Sequence, residues 1–340
     1  MFSGRLIIRR VLQRPSLLKC YNFRRASTWS TAKSWHLLPA LSAIAVTGGA
    51  LYVWSYAKSR LYEVHSAEEK EREQTRKFEG KTVLITGAAG DLGSATAKAF
   101  SQQGARLVLC DLPSTEATLK QLLTELLSLG SPAVICASVD VTNIEDVKRC
   151  VQQSVEQFGG IDILFNNAGI FGSSASLDQT DEAMFKKIQD VNVYGVFLMM
   201  KYVSKEMIKS GKGGVIINMS SVAGLRGSKW LFAYGASKFA VSGMTRSAAK
   251  SLAEHKIRVC ALAPYFLEGS LVDGILEDAS DTVYGGAMTK DQLESFVQKV
   301  SPVGRVGKMS EAAVAVLFLC SDEASYLTGV VLPVDGGLTA

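Results

Sequence analysis

Residues 81–93 read Lys81-Thr82-Val83-Leu84-Ile85-Thr86-Gly87-Ala88-Ala89-Gly90-Asp91-Leu92-Gly93, an apolar run that ends in a glycine-rich turn. The run 81–86 predicts a strand, and 92–103 predicts the helix that leaves the turn. The same alternation continues downstream. Strands are expected at 105–110, 132–137, 161–166, 214–219, 257–262 and 330–334. Helices are expected at 114–129, 144–158, 181–209, 230–254 and 311–320. Short apolar strands alternating with amphipathic helices imply an α/β fold, a doubly wound parallel sheet (Rossmann fold) covered on both faces. No internal repeat is visible, and at ~260 residues the body 78–340 fits one such domain, with its crevice at the strands' C-terminal ends.

Glycines at a strand-to-helix turn let the backbone approach a pyrophosphate, which then sits at the helix N-terminus. Gly87, Leu92 and Gly93 are candidates for that turn. Asp111 ends the second expected strand, roughly 20 residues downstream, where a carboxylate can accept hydrogen bonds from a ribose diol. Its charge would repel a 2′-phosphate, so the pair favours NAD over NADP. Much further on comes Tyr234-Gly235-Ala236-Ser237-Lys238. A tyrosine and a lysine four apart in a helix share one face. A free phenol has a pKa of about 10, and a neighbouring ammonium favours the phenolate, which suits a group that must give and take a proton.

The chain has 340 residues, 47% hydrophobic and 20% charged, so its bulk is globular. The net charge of +5 is unevenly spread: no acidic residue precedes Glu63. The basic excess belongs to the N-terminal segment and argues for no nucleic-acid-binding face. Segment 1–36 is arginine- and serine/threonine-rich, with amphipathic stretches such as Leu6 to Leu12, the composition of a mitochondrial presequence. Residues 37–57 are uncharged and long enough for one transmembrane helix of about 20 residues, with Trp35, Tyr52, Trp54 and Tyr56 as interfacial anchors. A charged linker, 58–77, follows. The reading is a single-pass protein of a mitochondrial membrane, with the endoplasmic reticulum membrane as the alternative. Six scattered cysteines and three histidines give no metal-ligand spacing, so buried reduced thiols and no metal site are expected.

Taken together, the motifs of 78–340 resemble the short-chain dehydrogenase/reductase family. The glycine turn is similar to the family's Thr-Gly-x-x-x-Gly-x-Gly, and Asp140-Val141 to its adenine-contacting pair. Asn166-Asn167-Ala168-Gly169 resembles the signature that flanks the nicotinamide ribose. Asn192 matches a helical asparagine that holds a relay water, and Ser221 stands at family spacing before Tyr234. The resemblance implies an oxidoreductase acting on an alcohol or ketone. Tyr234 would be the acid/base, Lys238 would lower its pKa and bind the nicotinamide ribose, Ser221 would orient the substrate oxygen and Asn192 would complete a proton relay. It also implies a homodimer or homotetramer through the two long central helices.

Two departures stand out. Asp91 replaces the family's middle glycine, where it could cap the next helix or set a carboxylate near the pyrophosphate. After the sixth strand the family has Pro-Gly and then a threonine that contacts the nicotinamide. Here the sequence is Pro264-Tyr265-Phe266-Leu267-Glu268-Gly269-Ser270, with Ser270 an approximate stand-in. Residues 266–300 are expected to form a substrate lid, whose Glu268, Asp273, Glu277, Asp278 and Asp281 argue against an anionic substrate and for a neutral, apolar alcohol or ketone. Phe171, Leu225, Trp230 and Phe232 are candidate pocket aromatics and aliphatics. The competing readings are an NADPH-dependent 3-oxoacyl reductase and a catalytically weak nucleotide-binding or scaffold protein of the same fold.

Overall fold

The computed structural model describes residues 76–270, 272–273 and 289–340. The basic segment 1–36, the apolar run 37–57 and the linker up to residue 75 lie outside the described residues, as do residues 271 and 274–288 of the expected lid. Among the described residues, no helix is long and apolar enough to cross a membrane.

Seven strands form one sheet: β1 (Thr82–Thr86), β2 (Arg106–Asp111), β3 (Val134–Ser138), β4 (Ile163–Asn166), β5 (Gly214–Met219), β6 (Ile257–Pro264) and β7 (Val331–Val334). Their order is β3-β2-β1-β4-β5-β6-β7, and every pairing is parallel. β1 is buried along its whole length, as a strand covered on both faces must be. The order reverses between β1 and β4, which opens a crevice beyond their C-terminal ends.

The helices are α1 (Asp91–Gln102), α2 (Glu116–Leu129), α3 (Ile144–Phe158), α4 (Glu182–Gln189), α5 (Val196–Ser210), α6 (Phe232–Leu252), α7 (Lys290–Val300) and α8 (Met309–Cys320). Alternate strand residues face opposite layers. Val83 and Ile85 pack with Phe100 of α1, Leu126 of α2 and Val316 of α8. Leu84, between them, packs with Val147 of α3, Met199 of α5 and Val241 of α6. Fully burying a side chain such as Phe100 is worth about 2–3 kcal/mol, so both layers fasten the sheet.

Two elements differ from the sequence reading. The expected helix 181–209 is two helices joined by a π-helical turn, Asp190–Gly195. Such single turns relieve a local packing conflict and mark functional positions. Here Gly195 passes so near β3's outgoing loop that a Cβ would lie 2.7 Å from Val141 Cγ2. The second difference is α7, a helix within the expected lid for which the sequence reading assigns no element. It begins with a capping box in which Thr289 and Gln292 satisfy each other's backbone N–H groups. Val272, Leu293 and Val297 form a small apolar cluster beneath it.

Candidate active site

The glycine turn after β1 is held by the end of β4. Gly87 has φ +62°, a conformation that favours glycine, and a Cβ there would meet Ala168 Cα at 2.9 Å. Gly93 packs closer still: its Cβ would lie 2.1 Å from the Gly87 carbonyl oxygen. Asn167 Nδ2 donates to the Thr86 and Gly87 carbonyls at 3.1 and 3.0 Å. Thr86 Oγ1 accepts from the backbone N–H groups of Asn167 and Ala168, both at 3.0 Å. The signature asparagine therefore fixes the turn to its neighbouring strand. Asp111, at the tip of β2, accepts from Ala89 N and Leu112 N, each at 2.8 Å. Asp140 Oδ1 accepts from Thr142 N and Oγ1 at 2.9 and 2.7 Å, which turns the chain after β3.

A cavity of ≈ 1130 Å³ runs along these strand ends. Every residue expected to hold a cofactor borders it except Gly93, which lies behind the turn and shapes it. Ser221, Tyr234 and Lys238 converge on the same cavity, whereas Asn192 does not border it.

Ser221 follows β5 in an extended conformation, its Oγ accepting from Ala223 N at 3.2 Å. Its neighbour Ser220 is buried and bonded to Ser242 Oγ at 2.8 Å and to the Lys238 carbonyl at 3.2 Å, a role in holding α6 to β5. Tyr234 and Lys238 lie one turn apart on α6. Burial pushes the Tyr234 phenol up to about 12, while a hydrogen bond with Ser221 acts in the other direction. Burial also pulls Lys238 down to about 8. Its ammonium donates to the Met219 carbonyl at 2.9 Å. Burial is the largest influence on the phenol, and the Lys238 ammonium stands 5.4 Å from the centre of its ring.

Asn192 sits in the π-helical turn, fully buried. Its Oδ1 accepts from Ile170 N at 2.8 Å, and its Nδ2 donates to the Ile170 carbonyl at 2.9 Å and Ser237 Oγ at 3.0 Å. The side-chain amide is committed to these partners, so it positions the loop after β4 against α6.

Asp91 is the first residue of α1, with Gly90 as N-cap and no side-chain cap bond. It does not cap the helix, contrary to one of the sequence expectations. Instead its Oδ2 accepts from Ser270 N at 2.7 Å and Ser270 Oγ at 2.6 Å. Ser270 is thus held by Asp91. Tyr265 borders the cavity, packs on Phe266 with ring centroids 4.5 Å apart, and donates its backbone N–H to the Val334 carbonyl at 3.2 Å. Burial pushes its phenol up to about 12, with Arg226 opposing.

Of the four side chains proposed for the pocket wall, Phe171 borders the cavity, its ring 5.0 Å from that of Tyr234. Leu225, Trp230 and Phe232 do not. Phe232 stacks on Phe185 at 6.2 Å, and Trp230 lies under Lys229 at 4.2 Å. The wall is completed by Ile170, Leu231, Leu267 and Met309. No sequence motif marks these, although Ile170 follows the asparagine-rich signature directly. The five described cysteines are free thiols, and among the described residues no group of side chains could hold a metal ion.

The chain is similar to known proteins over most of its described body. A family model described as enoyl-(acyl carrier protein) reductase matches residues 87–339. The 3-oxoacyl-[acyl-carrier-protein] reductase FabG of Thermotoga maritima is 39% identical over 263 residues, which cover 77% of this chain and 99% of that protein. Sorbitol dehydrogenase of Cereibacter sphaeroides is 35% identical over 263 residues, covering 77% of this chain and 98% of that protein. Among solved structures, NAD+-bound xylitol dehydrogenase superposes with a TM-score of 0.72 at 34% identity, over 77% of this chain and all of that one (100%).

Proposed function

The chain belongs to the short-chain dehydrogenase/reductase family, and on that premise we propose that it is an NAD-preferring oxidoreductase of a neutral, apolar secondary alcohol or ketone. The observation that carries the reading is the meeting of Ser221, Tyr234 and Lys238 at one end of a cavity whose other end holds Asp111. The residues fit a nicotinamide dinucleotide. Gly87 leaves a cradle that a Cβ would fill, and Asp111 presents a carboxylate fixed by two backbone donors. The turn at Gly87 to Leu92 would receive the pyrophosphate, Asp111 the adenine ribose, Asp140 and Val141 the adenine, and Gly169, Lys238 and Pro264 the nicotinamide side. When bound, that cofactor supplies the hydride chemistry.

The chain's own residues handle the proton. Tyr234 gives or takes the proton of the substrate oxygen. Ser221, which borders the cavity with Tyr234 and draws its phenol down, orients that oxygen and stabilises charge developing on it. Lys238 adds a positive charge beside the phenol when protonated, and Asn192 holds the loop that shapes the nicotinamide side. The apolar wall of Ile170, Phe171, Leu231 and Met309 excludes water and suits an apolar substrate.

The similarity to FabG favours a second reading, an NADPH-dependent 3-oxoacyl reductase. The Asp111 carboxylate and the acidic stretch after β6 speak against it. Separate titrations of the protein with NAD and NADP, then a screen of alcohols and ketones read by nicotinamide absorbance, decide between them; tighter NADP binding sinks the NAD reading. A mitochondrial single-pass membrane location through 37–57 is part of the proposal and is tested by carbonate extraction of isolated mitochondria. So is a homodimer or homotetramer through α5 and α6, whose exposed Phe197 and Phe239, with Tyr194 of the adjoining π-helical turn, favour self-association. Sedimentation of the protein tests that part.

A further inference from the structure

Asp91 and Ser270 lie 179 positions apart in sequence, yet a single carboxylate oxygen takes both the backbone N–H and the hydroxyl of Ser270. The contact depends on Gly269. That residue has φ +124°, and a Cβ there would fall 2.6 Å from Asp91 Oδ2 and 2.9 Å from its carboxyl carbon. A side chain at 269 and this carboxylate could not share the space. The segment after β6 is also fastened by backbone bonds, Tyr265 N to the Val334 carbonyl, Gly307 N to the Phe266 carbonyl at 2.9 Å and Glu268 N to the Gly307 carbonyl at 2.8 Å, and by the side chains of Leu267 in the main core and Val272 beside α7. Phe266, Leu267 and Val272 of this segment form cavity wall. Asp91 itself borders the cavity at the first turn of α1, where backbone N–H groups and the helix's positive end attract an anion.

We propose that Asp91 is a positioning residue with two effects: it latches the post-β6 wall onto the dinucleotide turn through Ser270, and its charge competes with the cofactor's pyrophosphate for the N-terminus of α1. The second effect rests on the functional reading above; the first does not. The latch ties the wall on the substrate side to the residue the pyrophosphate approaches, so cofactor binding and wall position are coupled. Charge-assisted bonds of this kind are strong for their number, and an exposed anion–anion repulsion is weakened by salt.

The test uses three variants and two readouts: equilibrium NADH binding by fluorescence, and backbone hydrogen exchange of residues 265–270, with β5 as internal control. Asp91→Ala removes latch and charge. It is expected to speed exchange at 265–270 about tenfold with β5 unchanged, and to tighten NADH about fivefold at low salt, a gain that shrinks at high salt. Asp91→Asn keeps an acceptor for Ser270, so exchange stays near wild type while NADH still tightens about fivefold. Ser270→Ala keeps the charge, so exchange rises without a gain in affinity. Unchanged exchange in Asp91→Ala, or a rise matched in β5, overturns the latch. Unchanged or weaker NADH binding in Asp91→Asn overturns the charge effect. Wild-type protein that binds no NADH overturns the functional reading together with the charge effect, and the exchange data then decide the latch alone.

Discussion

The ammonium of Lys238 is anchored on the Met219 carbonyl at 2.9 Å and lies 5.4 Å from the centre of the Tyr234 ring. It therefore faces Tyr234 and the cavity from a fixed point at the end of β5. The fixing has an electrostatic consequence: a cation is held in a place from which water is excluded. Burial pulls Lys238 down to about 8 and pushes Tyr234 up to about 12, so the fold by itself favours the neutral form of both groups.

Lys238→Met should stabilise the fold at neutral pH while removing activity. Lowering a lysine from 10.5 to about 8 corresponds to about 3 kcal/mol of destabilisation. Losing the bond to the Met219 carbonyl returns about 1 kcal/mol of that, leaving a gain of about 2 kcal/mol. The sign follows from proton counting. Below pH 8 both folded and unfolded lysine are protonated and the penalty is complete. Between about 8 and 10.5 only the unfolded state keeps the proton, so the wild type gains stability as pH rises and the variant's advantage disappears. Tyr234 is common to both proteins and cancels. Denaturant unfolding at pH 7 and pH 10 checks this; an advantage that grows with pH contradicts it.

Tyr234→Phe should leave the fold and dinucleotide binding intact and lower turnover by about 10²- to 10⁴-fold, the range for loss of a positioned acid/base. The ring's packing against Phe171 survives the substitution. Ser221→Ala removes the hydroxyl that bonds Tyr234 and should lower kcat about 10²-fold. Steady-state rates by nicotinamide absorbance read both. Wild-type turnover in the phenylalanine variant would assign the proton to another group, and Tyr265, also on the cavity, is the first to examine.

The strand–helix alternation was legible because every central strand is apolar on both faces, and the fold reproduces it from β1 to β7. The pairing of Tyr234 with Lys238 was legible because a helix sets residues four apart on one face, whereas Ser221, just past β5, was placed only by its resemblance to the family's spacing. What escaped the sequence depends on long-range packing. The π-helical turn at Asn192 arises where Gly195 meets Val141, 54 positions away by residue number, and period alone continues the helix through it. The Asp91–Ser270 contact joins two loops, and the glycine at 269 that permits it reads locally as a flexible point. The pocket wall was misassigned at Leu225, Trp230 and Phe232 because aromatic content says nothing about which side of a loop faces the crevice.

Asn192→Ala should cost about 2–4 kcal/mol of stability. It deletes one buried and two part-buried hydrogen bonds and leaves both backbone groups of the half-buried Ile170 without this partner. Because Gly169 lies against Asn192, with a Cβ there 3.1 Å from Asn192 Oδ1, the loop that borders the nicotinamide side should loosen as well. Thermal unfolding gives the stability change, and a rise in KM for the cofactor larger than the fall in kcat identifies a positioning role. A fall in kcat alone, with stability unchanged, would instead favour a relay through the side chain.

Asp111→Asn tests the origin of cofactor choice. The substitution keeps the shape of the side chain and one of its two acceptor oxygens, so one of the bonds from Ala89 N and Leu112 N is kept and the other is lost. It removes the charge that a 2′-phosphate would meet. Loss of a carboxylate that accepts from a ribose diol weakens NAD, while loss of like-charge repulsion favours NADP, so the two effects act in the same direction on the ratio. The ratio of kcat/KM for NAD to that for NADP should fall by about tenfold or more. Because both cofactors are measured on one protein, a general loss of stability or of turnover cancels from the ratio. An unchanged ratio would mean that selectivity arises elsewhere in the cavity, and Thr115 and Thr118, which border it beyond β2, would be the residues to substitute next.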